Sequence, residues 1–124
     1  MIILIADDNA FSRELMREVL EALGHVIQEA VNGRNALDLI RGSQPDLVFL
    51  DLQMPLQDGF SVIRELRTDA RFRGLPVVAV TASAMIGDRE RAIAAGFDSY
   101  IAKPIDLSEV EAQVEALASR RRAD

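Results

Sequence analysis

Asp7-Asp8, Asp51, Thr81 and Lys103 are the residues of this chain whose types and spacing would allow them to do chemistry together. Each closes a short apolar run: Ile2–Ala6 leads into Asp7-Asp8, Leu47–Leu50 into Asp51, Val77–Val80 into Thr81, and Tyr100–Ala102 into Lys103-Pro104. Singly, each has an ordinary reading: Asp7-Asp8 help to cap a helix, Asp51 begins a turn, Thr81 caps the next helix and Lys103 is a surface charge. If the runs are neighbouring strands, the same residues form one rim of three carboxylates, a hydroxyl and an ammonium. Lys103 stands out further, because Lys and Arg number 14 and it is the only lysine.

Such a rim has a definite chemistry. Two carboxylates about 5 Å apart repel by roughly 3 kcal/mol at an effective dielectric near 20, so three of them call for a cation. Mg²⁺ suits all-oxygen sites, taking one or two carboxylates and keeping several waters. Zinc fits poorly, since the chain has no cysteine and His25 is its only histidine. A carboxylate beside a divalent ion and an ammonium can also attack phosphorus and form an aspartyl-phosphate, with Lys103 and the Thr81 hydroxyl orienting the phosphoryl oxygens.

The elements that must position these residues are legible in the apolar pattern. The four runs, with Val26–Ile27, are short and mostly continuous rather than alternating, as strands of a buried parallel sheet are. Helices are expected between them. Phe11, Leu15, Val19, Leu20 and Leu23 mark the first, with Asn9 as cap and Gly24 as its stop. Ala36, Leu37 and Ile40 mark a second, ending at Gly42 after the Asn32-Gly33 turn. Phe60, Ile63, Leu66 and Arg67 mark a third after Pro55 and Asp58-Gly59, and Ala92, Ile93 and Gly96 a fourth. Leu107, Val110, Val114 and Leu117 mark the last, with Asp106 and Glu109 as its capping pair and its end near Ser119. Five βα units in strict alternation imply right-handed crossovers and a parallel sheet with helices on both faces. Sites in such folds lie at the carboxyl ends of the strands, where the rim falls.

Composition agrees with one small folded unit. The 124 residues are 49% hydrophobic and 27% charged, with a net charge of -6, which excludes disorder and argues against nucleic acid as a partner. Without cysteine there is no disulfide, thiolate metal site or thiol nucleophile. No apolar run is long enough to span a bilayer, and Ile2–Ala6 lacks the positive flank of a signal peptide. The expectation is a cytoplasmic domain over residues 1–119 with a short basic tail over 120–124, either free-standing or cut from a longer protein.

Asp7-Asp8, the stretch Asp51-Leu52-Gln53-Met54-Pro55-Leu56-Gln57-Asp58-Gly59, Thr81-Ala82 and Lys103-Pro104 together resemble, in order and spacing, the signature of receiver domains of two-component response regulators. The resemblance covers the whole chain and implies a flavodoxin-like fold with strand order 2-1-3-4-5. It implies Asp51 as phosphoacceptor, and Mg²⁺ held by Asp8 directly, by Asp7 through water and by the backbone carbonyl of Gln53. Thr81 and Lys103 would contact the phosphoryl group, Thr81 and Tyr100 would form a switch pair, and Lys103-Pro104 would be a cis bond. The implied partners are a histidine kinase or histidine phosphotransfer protein and a downstream protein effector, the chain being a monomer or a weak phosphorylation-dependent dimer. It would be a switch rather than an enzyme, catalysing only its own phosphorylation and dephosphorylation. Residues 76–85, Gly96-Phe97-Asp98 and residues 100–105 resemble receivers of hybrid kinases and free-standing cell-cycle regulators more than those of DNA-binding regulators.

Two other functions compete. A haloacid-dehalogenase-like phosphatase also uses a strand-end Asp and Mg²⁺, but it needs a second Asp two residues on as general acid, where this chain has Gln53. A flavin-binding electron carrier would need a Ser/Thr/Gly-rich phosphate loop where Asp7-Asp8-Asn9 stand. His25 is read as a boundary residue, and Arg120–Arg122 as cations suiting a helix C-terminus. For docking of the phosphodonor, Ile105 and Phe11 border the rim. Phe11 is expected to continue the buried stripe of its helix, leaving Ile105 as the better candidate.

Overall fold

Apolar β-branched runs whose neighbours on both sides are also apolar can satisfy their backbone only by pairing with one another under cover of helices. In the computed structural model, which describes residues 1–82 and 85–123 with side chains as far as Ser119, they do so in one sheet. Strands β1 (Ile2–Ala6), β2 (Val26–Ala30), β3 (Leu47–Asp51), β4 (Val77–Thr81) and β5 (Ser99–Ala102) are all parallel, in the order β2-β1-β3-β4-β5. Between and after them run α1 (Ala10–Ala22), α2 (Gly33–Ser43), α3 (Gly59–Thr68), α4 (Asp88–Ala95) and α5 (Leu107–Ala123), with a short 3-10 turn at Ala70–Phe72. This is the flavodoxin-like order expected. Its topological switch point lies between β1 and β3, which opens a crevice at their carboxyl ends.

The sheet's two faces each carry a core. Leu4, Val48, Leu50, Val77 and Ala79 pack with Leu37 and Ile40 of α2, Ile63 and Leu66 of α3 and Ala92 of α4. The intervening residues Ile3, Ile5, Phe49, Val78 and Val80 pack with Met16 and Leu20 of α1 and Val110, Val114 and Leu117 of α5. Every residue of β3 and β4 is buried, which holds the strands carrying Asp51 and Thr81 rigid. At about 1.5–3 kcal/mol per buried large apolar side chain, this double burial is the main term favouring the fold.

Helix starts follow the expected capping chemistry. Asn9, Asn32 and Asp58 accept hydrogen bonds from the backbone N–H of Ser12, Asn35 and Ser61. Asp106 bonds the Ser108 N–H at 2.9 Å, one residue short of the capping partner expected at Glu109. Gly24 closes α1 at φ 93°, a conformation only glycine adopts freely. Asn32 is thus a helix cap as well as a turn residue.

Three details depart from the sequence pattern. In α1 the buried residues are Met16 and Leu20, whereas Phe11 is 69% exposed and Leu23 lies outside the last turn at the C-cap. Phe11 stands about 140° around the helix from Met16, too far to share its face. Helix α2 runs through Gly42 and ends at Gln44 in the left-handed region. Helix α5 continues past Ser119 to Ala123, and the expected role of the Arg120–Arg122 side chains falls outside the described residues.

One close approach locks the loop after β3 against α2. A Cβ placed on Gly33 would lie 1.9 Å from the Gln57 carbonyl oxygen, so only glycine fits there. Gly42, by contrast, faces open space in the last turn of α2. Gly33→Ala is expected to lose about 2 kcal/mol or more through overpacking against backbone. Gly42→Ala should gain about 0.5–1 kcal/mol from helix propensity. Urea midpoints should fall in the order Gly42→Ala, wild type, Gly33→Ala; a wild-type midpoint for Gly33→Ala would contradict the close approach.

Candidate functional site

Strand register lines up the chemistry. Ala6 pairs with Leu50, Asp51 with Val80, and Thr81 with Ala102, so Asp7, Asp51, Thr81 and Lys103 all emerge at one edge of the sheet. The Lys103 N–H bonds the Thr81 carbonyl at 2.7 Å, extending the ladder one residue past β5. The bond from Lys103 to Pro104 is cis.

Lys103 binds two carboxylates at once. Its Nζ lies 2.9 Å from Asp7 Oδ2 and 2.9 Å from Asp51 Oδ2. The other oxygens are fixed locally: Asp7 Oδ1 accepts the Asn9 N–H and Asp51 Oδ1 the Gln53 N–H, each at 2.9 Å. These two-residue turns aim both carboxylates inward. Asp7, Asp51 and Thr81 are buried, whereas Asp8 is exposed. Asp7, Asp8 and Asp51 each bring an oxygen to within 4.8 Å of the others.

Electrostatics mark Asp51 as the stressed group. Burial pushes its carboxyl pKa up, with the Asp7 charge adding to the effect, against the lowering pull of the Gln53 N–H and Lys103. Burial alone would lower the Lys103 ammonium, but hydrogen bonds and attraction from Asp51 and Asp7 outweigh it and raise the pKa overall. The directions agree physically: one ammonium shared by two carboxylates is firmly protonated, while each carboxylate receives only part of its charge.

Three carboxylates against one ammonium leave two negative charges uncompensated among hard oxygen donors. That donor set fits a divalent oxygen-seeking cation such as Mg²⁺ and not zinc. The acidic edge opens into a cleft of about 630 Å³, lined among others by Asp8, Gln53, Met54, Asp58, Thr81 and Arg91.

Tyr100 lies on β5, three residues before Lys103, its ring half-buried against the α2–α3–α4 core. Its hydroxyl is buried without a hydrogen-bond partner among the described residues, and burial followed by the Asp88 charge raises its pKa. Ile105 is half-buried and packs against the α1–α5 core, whereas Phe11 stands free at the same rim. Phe11, expected in the core, is thus the more exposed of the two. Two cations in the site's surroundings escaped the sequence reading. Arg91 pairs with Asp88 at 3.1 Å and sits 5.5 Å over the Phe60 ring, beside the cleft. Arg13 donates to the Asp7 carbonyl at 2.7 Å. Its one sequence signal is its place one turn past the Asn9 cap.

A five-stranded 2-1-3-4-5 sheet with an acidic cluster and a lysine at its switch point defines a class of phosphoacceptor modules built on the flavodoxin-like fold. The chain belongs to the response regulator receiver domain family, whose family model matches residues 3–115. It is 42% identical over 105 residues to the polar-differentiation response regulator DivK of Brucella anthropi, a match covering 85% of each chain. The receiver domain of the Francisella response regulator 1452 superposes with a TM-score of 0.90 at 28% identity, covering 97% of this chain and 98% of that one. The receiver domain of the sensor histidine kinase PA1611 from Pseudomonas aeruginosa, solved with a magnesium ion coordinated in its active-site cleft, superposes with a TM-score of 0.84 at 30% identity, covering 94% and 97%. The chain is thus a phosphoacceptor of two-component signalling, and the phosphatase alternative finds no support. Among the described residues no helix is long and apolar enough to cross a membrane.

Because the folded pKa of Asp51 lies above its ordinary value, its contribution to stability is full below that value and is lost as pH rises through the folded pKa. Without divalent cations, Asp51→Asn should therefore melt a few degrees above wild type at pH 7. The difference should close below about pH 3.9, where the carboxyl is protonated in both states. A metal-free Asp51→Asn melting below wild type at pH 7 would mean that the Lys103 pair outweighs burial.

Proposed function

We propose that Asp51 accepts a phosphoryl group from a partner's phosphohistidine and that the modified surface then binds a downstream protein. The observation that carries this reading is the Lys103 ammonium held 2.9 Å from both Asp7 and Asp51, with Thr81 buried on the neighbouring strand. A carboxylate oxygen of Asp51 attacks phosphorus while the phosphorus–nitrogen bond breaks, and the imidazole nitrogen leaves with that electron pair. Asp51 ends as an acyl phosphate. Lys103 faces the oxyanions that result, and the Thr81 hydroxyl donates to one of them.

Asp7, Asp8, Asp51 and the Gln53 carbonyl are the groups that would hold Mg²⁺, in keeping with the magnesium in the Pseudomonas receiver's cleft. When bound, Mg²⁺ supplies positive charge against the phosphoryl oxygens. Thr81 and Tyr100 form the switch pair. The Tyr100 hydroxyl is buried with no partner among the described residues, and its side chain is read as the part that repacks once Thr81 is drawn to the phosphoryl group. In this reading residues 1–119 are the receiver and 120–124 a basic tail. The chain acts in the cytoplasm as a monomer or weak phosphorylation-dependent dimer, and catalyses its own phosphorylation from small donors and its own dephosphorylation. Its protein donor is a histidine kinase or histidine phosphotransfer protein.

Acetyl phosphate should add one phosphate to wild type in Mg²⁺ and none in EDTA, read by intact mass. Asp51→Asn should stay unmodified, and labelling of that variant at the wild-type rate would move the site elsewhere. Docking is tested at the exposed rim: Phe11→Asp should lower transfer from the cognate phosphodonor protein at least tenfold more than it lowers acetyl phosphate labelling. Equal effects on both donors would remove Phe11 from the donor's footprint.

A further inference from the structure

We infer that Arg13 is a positioning residue for the cation site, fixing Asp7 and Asp8 from α1 through the carbonyl of Asp7. The inference rests on the proposed metal role of these carboxylates.

Asp7 is held at every polar atom. Its N–H bonds the Ala30 carbonyl at 3.1 Å, Oδ1 accepts the Asn9 N–H and Oδ2 faces Lys103. Only its carbonyl is left for a group outside sheet, turn and site, and Arg13 Nη1 takes it at 2.7 Å. That carbonyl belongs to the planar peptide joining Asp7 to Asp8, so its direction sets the direction in which the chain leaves towards Asp8. Asp8 is exposed and Asp7 buried, so the orientation of this one peptide decides whether both present an oxygen to the same point.

Arg13 is itself anchored. Its side chain is 15% exposed, and Nε lies 3.1 Å from Glu29 Oε1 on β2, while Arg17 pairs with the other Glu29 oxygen. The planar guanidinium thus spends one edge on Glu29 and another on the Asp7 carbonyl, a division a lysine ammonium makes with far less geometric control. Pairing with Glu29 also offsets the Arg13 charge, which would otherwise repel an incoming cation. The clamp ties α1 to β2 beside the site without using a carboxylate that a metal needs.

Loss of such an outer support typically costs 10–100-fold in metal affinity. The test titrates Mg²⁺ into metal-free protein by calorimetry and compares melting temperatures in EDTA and in Mg²⁺. Arg13→Gln should bind Mg²⁺ about tenfold more weakly and lose most of the Mg²⁺-induced rise in melting temperature. Arg13→Lys should recover part of both, and Asp8→Asn should lose binding outright. Wild-type affinity in Arg13→Gln, with binding lost in Asp8→Asn, would overturn the positioning role and leave the metal reading intact. Wild-type affinity in both would overturn the metal reading as well. Should Arg13→Gln fail to fold, Glu29→Ala, which removes the guanidinium's second anchor, decides: several-fold weaker Mg²⁺ binding supports the inference and unchanged binding overturns it.

Discussion

The rest of the site depends on a single ammonium shared between two buried carboxylates. Lys103 can reach both Asp7 and Asp51 because β1, β3, β4 and β5 present their carboxyl ends in register. It can hold them because both carboxylates are turned inward by the backbone N–H groups of Asn9 and Gln53, two residues further on. One positive charge cannot neutralise three negative ones, so the edge of the sheet carries a standing deficit. That deficit makes the site receptive to a divalent cation and, with it, to a phosphoryl group.

The scaffold sustains this tension by being over-determined elsewhere. β3 and β4 are buried along their full length, and the two cores on either side of the sheet fix them from both faces. Strain concentrated at the strand ends is therefore not relieved by movement of the strands. The Tyr100 side chain is only half-buried, with a hydroxyl that lacks a partner among the described residues. Stability and responsiveness are separated in space: apolar packing at the middle of the sheet, unbalanced charge at one edge.

Most of this architecture was legible in the sequence, for physical reasons. Continuous apolar runs such as Leu47–Leu50 and Val77–Val80 fit only a sheet covered on both faces, and their strict alternation with helical patterns leaves little topological choice. Asp7-Asp8, Asp51, Thr81 and Lys103 were visible because strand ends place them together whatever the details of packing. Apolar type alone places Phe11 in the core, whereas the helical phase set by Met16 and Leu20 puts it outside. Gly42 looked like a helix stop, but the stop is Gln44 in the left-handed region, which residue type does not announce. Gly33 against Gln57, between segments distant in sequence, and Arg13 against the Asp7 carbonyl, six residues away, are both contacts made through backbone atoms. Backbone atoms carry no residue label, so no reading of residue types finds such contacts.

Lys103 being the only lysine offers a direct test of the central claim, because protein labelled with ¹⁵N-lysine reports a single side-chain ammonium. If that ammonium bridges Asp7 and Asp51 and then faces the phosphoryl group, its resonance should shift when acetyl phosphate is added with Mg²⁺. Mg²⁺ alone, binding the same carboxylates, sets the starting position, and no further shift should follow when acetyl phosphate is added in EDTA or to Mg²⁺-loaded Asp51→Asn. A Lys103 resonance that does not move while wild-type protein becomes phosphorylated would contradict the account.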